Sequence, residues 1–273
     1  MGVIVGLDIG GSTTKIVGFA GDTLLLQAQV KASNPVASAY GGLGSFLEEN
    51  KLAITDIDEI RVTGVGASFL NGNLLERKTS TCAEFDSVGR GGLYLAKCDE
   101  AIVVSMGTGT SIVAARRSLV SHVIGSGVGG GTLAGLSSRM LNVRDVDTIT
   151  MLAEDGDLAN IDLTVGDLTK TEIPGLEPHT TASNFGKLSD LASQSDIALG
   201  IVNLVFQSVA TASIMAARSE KLNTIVFTGY LTRMPAGHRV LENFSTLYGV
   251  NLLIPRLSEF ATAIGAALNG RYR

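Results

Sequence analysis

Val3-Ile4-Val5-Gly6-Leu7-Asp8-Ile9-Gly10-Gly11-Ser12-Thr13-Thr14-Lys15-Ile16-Val17 opens the chain with an apolar run, a polar glycine-rich turn and a second apolar run. The same order returns at Ala101-Ile102-Val103-Val104-Ser105-Met106-Gly107-Thr108-Gly109-Thr110-Ser111-Ile112-Val113. After a short polar break, each copy is followed by a third apolar run, Leu24 to Val30 and Leu119 to Ile124. Short runs rich in β-branched residues and bounded by Gly and Ser read as strands joined by hairpins. A three-strand meander occurring twice predicts two related lobes, whose hairpin turns would wrap one polyanion lying between them.

The 273 residues exceed a typical single-domain length, which favours two lobes of moderate size. An apolar share of 45% supplies ample core. The formal charge is −5, and no basic run exceeds two residues, so a nucleic-acid surface is not expected. Phosphate binding must then come from backbone amides and one or two placed cations. Cys82 and Cys98 make neither a disulfide framework nor a CxxC motif, and the three histidines lie far apart. The N-terminus has no basic stretch and reaches a glycine turn by residue 10, unlike a signal peptide, so a reducing cytoplasmic location is the expectation. Ile197 to Ala217 contains no charged residue and is long enough to span a bilayer. Asn203, Gln207, Ser208, Thr211 and Ser213 interrupt it, so it reads better as a buried core helix.

Along the chain, helices are expected at Pro35 to Asn50, Glu84 to Lys97, Thr132 to Leu141, Val146 to Ala153, His238 to Leu247 and Glu259 to Leu268. Further strands are expected at Glu59 to Gly64, Thr224 to Phe227 and Leu252 to Ile254. Residues 156–187 are the least regular segment. Meanders followed by helices give a mixed α/β class with two sheets. The lobes are assigned to residues 1–98 and 99–273, with the last helix able to pack back on the first lobe.

Chemistry concentrates in the turns. In the first, Gly10 and Gly11 let backbone amides approach phosphate oxygens, while Ser12, Thr13 and Thr14 add hydroxyls. Asp8 suits Mg²⁺ held through water, and Lys15 suits phosphate charge. An ordinary tight hairpin accounts for the glycines but for neither the acid nor the lysine. The second turn, Gly107-Thr108-Gly109, offers only amides and hydroxyls, as a secondary phosphate clamp would. Neither fits the Walker pattern. Gly125 to Thr132 contains a literal GxGxxG without the βαβ setting of a dinucleotide fold. It reads instead as a helix N-terminus whose amides and dipole face a nucleotide. Thr228-Gly229-Tyr230-Leu231 follows a strand where an adenine ring would pack; the plainer alternative is a β-to-helix turn. Glu84, at a helix start, is the candidate general base, against the plainer role of a first-turn dipole partner.

Taken in order, these motifs resemble the type II pantothenate kinases of the acetate/sugar kinase, heat-shock-protein 70 and actin superfamily, over roughly residues 4–268. The more specific matches are Glu84-Phe85-Asp86, Gly129-Gly130-Gly131-Thr132 leading into Gly135-Leu136, Gly156-Asp157, Ile161-Asp162-Leu163, Thr181-Ala182-Ser183-Asn184-Phe185-Gly186 and Ala263-Ile264-Gly265-Ala266. The resemblance implies two ribonuclease-H-like lobes (the actin-like ATPase fold) with a cleft between them. It also implies Mg²⁺- and ATP-dependent phosphorylation of the primary hydroxyl of pantothenate, the first step toward coenzyme A. By motif matching, Asp8 to Lys15 hold ATP phosphates and Mg²⁺, and Thr108 clamps from the facing lobe. Gly130, Gly131, Thr132, Leu133 and Ala134 line the nucleotide, Gly229 and Tyr230 lie at the adenosine end, and Glu84 is the base. Ser105 and His122 fall on the acceptor side. His122 is a departure, since the family usually carries an arginine there. The family forms homodimers, and Ile197 to Ala217 is the candidate interface helix. Two other readings fit the superfamily: a kinase for an amino sugar or a pantothenate-like amide, and an ATPase activator of the BadF type. An actin-like or chaperone-like binding module would need an extra domain that nothing here supplies.

Overall fold

The computed structural model describes residues 2–31 and 34–270. Its first sheet grows from the opening hairpin. Strands β1 (Val3–Ile9) and β2 (Thr13–Ala20) pair antiparallel, with Asp8 opposite Lys15, and the Gly10 N–H closes the turn onto Thr13 O at 3.0 Å. The third apolar run is not one strand. It splits into β3 (Thr23–Leu24) and β4 (Ala28–Lys31), both paired with β2. At Leu26 the Asn50 side chain stands in for a neighbouring strand. The Leu26 N–H donates to Asn50 Oδ1 at 3.0 Å, and Asn50 Nδ2 donates to Leu26 O at 3.1 Å. Helix α1 (Pro35–Glu49), capped by Asn34, leads to β5 (Ile57–Thr63), parallel to β1, and β6 (Thr79–Thr81), parallel to β5. Helix α2 (Glu84–Ala96) follows.

The second sheet repeats this plan. Strands β7 (Glu100–Met106), β8 (Thr110–Arg116) and β9 (Leu119–Ser126) form the meander. Helices α3 (Gly130–Met140) and α4 (Val146–Glu154) come next. The irregular segment holds β10 (Leu163–Thr164), α5 (Val165–Leu168) and β11 (Thr181–Ser183). The long α6 (Gln194–Glu220), β12 (Thr224–Thr228), α7 (Pro235–Tyr248), β13 (Asn251–Leu253) and α8 (Ala261–Leu268) complete the fold. The sheet orders are β3-β2-β1-β5-β6 and β13-β12-β7-β8-β9. Read from the opposite end, the second matches the first strand for strand, so the duplicated hairpin belongs to a duplicated sheet.

Each sheet has a helix on either face. On one face of the first sheet, Ala39, Leu43 and Phe46 of α1 bury against Val3, Val5, Leu7 and Ile9. In the second, Val202, Val205, Phe206 and Val209 of α6 bury against Ile102, Val104 and Ile112. Helix α6 is thus the core helix expected from its interrupted apolar sequence. The other two faces exchange partners. Helix α2 follows the first sheet yet packs Val88 and Leu93 on Val103, Val113 and Ala115 of the second. Helix α8 follows the second sheet yet packs Ala263, Ile264 and Ala267 on Val17 and Phe19 of the first. The two helices also cross each other: a Cβ at Gly91 would collide with Ala261 O, and one at Gly265 with Ser87 O. Glycines that weaken α2 by propensity are therefore what lets it touch α8. Arg61 of β5 donates to Ala267 O at 3.0 Å and to Asn269 O, satisfying carbonyls at the end of α8.

The irregular segment is tied to α6 by two buried carboxylates. Asp162 accepts from Asn203 Nδ2 at 2.6 Å and from the Phe185 N–H at 2.9 Å. Asp196, in the first turn of α6, accepts from the Asp157 N–H at 2.7 Å and the Ser193 N–H at 2.9 Å. Buried charges persist only with such partners, which explains why a stretch without regular periodicity still holds one path.

Candidate active site

Side chains alternate along a strand, and register partners share a face. Asp8 therefore shares a face with Lys15 on β2 and with Thr63 on β5. This is the face covered by α8 farther along the strands, where a Cβ at Gly6 would meet Ala263 O. Beyond the start of α8 the row Asp8–Lys15 opens into a cavity of about 1010 Å³ between the lobes. Thr262 of α8 lies on its wall.

The first hairpin contributes Asp8, Gly10, Gly11, Ser12, Thr13 and Lys15 to this cavity, and the second contributes Ser105, Gly107, Thr108 and Gly109. The two turns face each other: a Cβ built on Gly11 would stand 3.6 Å from Thr108 Oγ1. Glu84, His122, Gly130, Gly131, Ala134, Gly229 and Tyr230 complete the walls expected from the sequence, and Phe85, to which the sequence reading gave no site role, joins them. Three expected residues turn away. Thr14 points to the opposite face, where its Oγ1 bonds Ser38 Oγ at 2.8 Å. Leu133 is buried in the second lobe's core, and Thr132 Oγ1 donates to Gly127 O at 2.9 Å.

The glycine triplet also works differently from expectation. Helix α3 begins at Gly130, and its first amides are already engaged: Gly130 N–H donates to Gly107 O and Gly131 N–H to Thr108 O, both at 2.8 Å. These bonds hold the second turn in place, so the triplet buttresses the turn rather than offering those amides to a ligand. Close contact makes the small residues necessary, since a Cβ at Gly130 would lie 2.9 Å from Gly107 O.

Burial raises the Asp8 carboxyl to about 6, with Lys15 pulling it down and Glu84 pushing it up. Burial lowers Lys15, which Asp8 and Glu259 partly offset while Arg233 adds to the lowering. Burial likewise raises Glu84. A strongly desolvated acid beside a desolvated lysine gains from a cation and an anion arriving together, as Mg-ATP does. The donor set fits Mg²⁺ carried with its water and nucleotide phosphates. Asp8 and the hydroxyls of Ser12 and Thr13 line the first turn's part of the cavity, and no cluster of three His, Cys, Asp or Glu that could hold a metal exists among the described residues.

On the cavity wall the Phe85 ring stacks on His122, with centroids 4.3 Å apart and planes 19° apart. Phe85 follows Glu84 directly, so this aromatic shelf adjoins the candidate base. Also on the wall, Tyr230 OH donates to Asp147 Oδ1 at 3.2 Å, and the Arg233 guanidinium lies 5.2 Å from the Tyr230 ring centre. Sequence reasoning missed Lys31, Val65, Arg144, Asp145 and Gly64, all on the cavity wall. Asp145 carries a readable signal as the N-cap of α4, accepting from the Thr148 N–H at 2.9 Å. Gly64 has φ of +88°, and a Cβ there would lie 2.6 Å from Asp8 Oδ1. No local motif marks Lys31, Val65 or Arg144.

A model of the Fumble family matches residues 37–269. A type II pantothenate kinase of Staphylococcus haemolyticus (strain JCSC1435) is 28% identical over 273 residues, covering 96% of this chain and 98% of that protein. One from Bacillus cereus (strain ATCC 10987 / NRS 248) is 29% identical over 234 residues, 82% of each. Among solved structures, the activator of the 2-hydroxyisocaproyl-CoA dehydratase from Clostridium difficile with bound ADPNP has a TM-score of 0.71 at 17% identity, covering 97% of this chain and 93% of that one. A ROK family glucokinase from Streptomyces griseus in complex with glucose and AMPPNP has a TM-score of 0.60 at 12% identity, covering 99% of each. At these identities the structures share the fold: two α/β lobes around a cleft, as the doubled hairpin led us to expect.

Proposed function

Because this chain belongs to the Fumble family, we propose that it is a pantothenate kinase that transfers the γ-phosphoryl group of ATP to the primary hydroxyl of pantothenate. The observation that carries this reading is the approach of Gly11 to Thr108 across the cleft, with Glu84 on the same cavity wall. In this reading both turns hold the phosphate chain, and Lys15 neutralises part of its charge. Asp8 would hold Mg²⁺ through water, and the ion when bound would offset charge on the phosphate oxygens. The Glu84 carboxylate accepts the acceptor hydroxyl's proton. The new O–P bond forms as the bond from the γ-phosphorus to the β-γ bridging oxygen breaks, and ADP leaves with that electron pair. Catalysis then rests on positioning and charge stabilisation rather than on covalent chemistry by the protein. The stacked Phe85 and His122 shelf, next to Glu84, serves the acceptor, and Tyr230 serves the adenosine end.

The reading extends to a cytoplasmic homodimer. Most of α6 is committed to the subunit core, so an interface on that helix would use its open stripe of Leu204, Ser208, Thr211 and Met215. ADP release measured with pantothenate, with N-acetylglucosamine and without acceptor tests the function. Release that depends on pantothenate supports it. Preference for the amino sugar would move the assignment to another kinase of this fold. Equal release without acceptor would favour an ATPase activator, a reading also suggested by the structural likeness to the dehydratase activator.

A further inference from the structure

Thr63 ends β5 as the register partner of Asp8, on the same face of the sheet. Its side chain is 0% exposed, and its Oγ1 has no hydrogen-bond partner. Gly64, the next residue, packs so closely on Asp8 that no side chain fits between them. A buried hydroxyl without a partner costs stability, and a valine of nearly the same shape would avoid that cost. Among the described residues the side-chain atoms left in this condition are few: Thr63 Oγ1, Arg77 Nε, Arg90 Nε and Ser137 Oγ. Thr63 is the one paired with a candidate catalytic-site carboxylate.

We propose that Thr63 is a positioning residue for Asp8, its hydroxyl donating to the Asp8 carboxylate once nucleotide and Mg²⁺ draw that group into its working orientation. The strands hold the two residues about 5 Å apart, so rotation of the two side chains spans the gap. A hydroxyl is suited to this task because it rotates to meet the carboxylate and brings no charge to a site already crowded by Lys15 and Glu84. The inference rests on the reading of Asp8 as the residue facing Mg-ATP.

The test compares wild type with Thr63→Val, Thr63→Ser and Asp8→Asn, using the full chain. Each is measured for thermal unfolding without ligand, for Mg-ATP affinity, and for kcat and KM. Thr63→Val is expected to melt at a higher temperature than wild type while losing about tenfold in kcat/KM for ATP, the scale of one hydrogen bond to a charged group. Thr63→Ser, which keeps the hydroxyl, is expected to restore most of that loss. Wild-type kinetics in Thr63→Val, with Asp8→Asn inactive, would overturn the Thr63 inference and leave the Asp8 reading intact. A fully active Asp8→Asn would overturn that reading. Lower melting in Thr63→Val, with Thr63→Ser equally impaired, would reduce Thr63 to a packing role and also overturn the proposal.

Discussion

Gly11 and Thr108 stand close across the cleft although they belong to different sheets: a methyl group on Gly11 would sit 3.6 Å from the Thr108 hydroxyl oxygen. A ligand bridging these turns touches both lobes, so removing the hydroxyl should weaken nucleotide binding while sparing the fold. Thr108→Val is expected to raise KM for ATP about five- to tenfold, the loss of one charge-assisted hydrogen bond, with little change in melting temperature. Initial-rate kinetics and a thermal scan of the same preparation check both parts.

Glu84 begins α2, on the cavity wall beside Phe85. Glu84→Gln keeps the shape and removes the proton acceptor. It is expected to lower kcat by at least roughly a hundredfold, the usual scale of general-base loss, while ATP affinity stays near wild type. Calorimetric titration with ATP, beside turnover assays, separates the two effects.

Asp8 gives opposite pH trends for stability and for binding. Its carboxyl rises from 3.8 to about 6 on folding, chiefly through burial. The folded state therefore holds this proton more tightly than the unfolded chain. Asp8's contribution is fully present at pH values below 3.8 and is lost as pH climbs through 6. In the proposed reading Mg-ATP binding needs the carboxylate, so affinity should gain over the same window. Melting of wild type relative to Asp8→Asn, measured from pH 4 to 8, is expected to show the first trend, and affinity measurements the second. Glu84→Gln removes a neighbouring charge that raises Asp8, so the midpoint of the binding curve should shift to lower pH in that variant.

The Phe85–His122 stack predicts a separation of substrates. Phe85→Ala removes the surface on which the imidazole rests and should raise KM for the acceptor several-fold, leaving KM for ATP nearly unchanged. An equal effect on both substrates would place the shelf outside the acceptor site.

The α2–α8 crossing predicts a structural cost. Gly91→Ala or Gly265→Ala forces a methyl group into a facing backbone carbonyl. Overpacking of this kind typically costs about 1–3 kcal/mol, against the small gain in helix propensity that alanine would otherwise bring. Denaturant unfolding of either variant measures the balance.

The two meanders were legible because their signals are local: apolar, β-branched runs on either side of a turn rich in Gly, Ser and Thr. Asp8, Lys15 and Thr108 were legible for the same reason, since those turns have no need of an acid, a lysine or paired hydroxyls to fold. The break at Leu26 was not, because Asn50, after a whole helix, completes its hydrogen bonding. The return of the last helix to the first lobe was among the expectations, but the packing of α2 on the second sheet, and its crossing with α8, was hidden. That crossing brings Gly91 against Ala261, and one-dimensional periodicity carries no information about partners that far apart. At Gly130 and Gly131 the sequence pointed to the right place and the wrong use, because free amides look the same in sequence as amides bound to Gly107 and Thr108. Lys31 and Arg144 reach the cavity through the packing of β4 and the loop before α4, which no short motif encodes.

A crystal structure with a non-hydrolysable ATP analogue and Mg²⁺ addresses the central claim most directly. The account predicts phosphate oxygens within hydrogen-bond distance of both the first turn, at Gly10 to Thr13, and Thr108 Oγ1, with the Glu84 carboxylate facing the terminal phosphorus. A nucleotide held by one turn alone, or by neither, would contradict it.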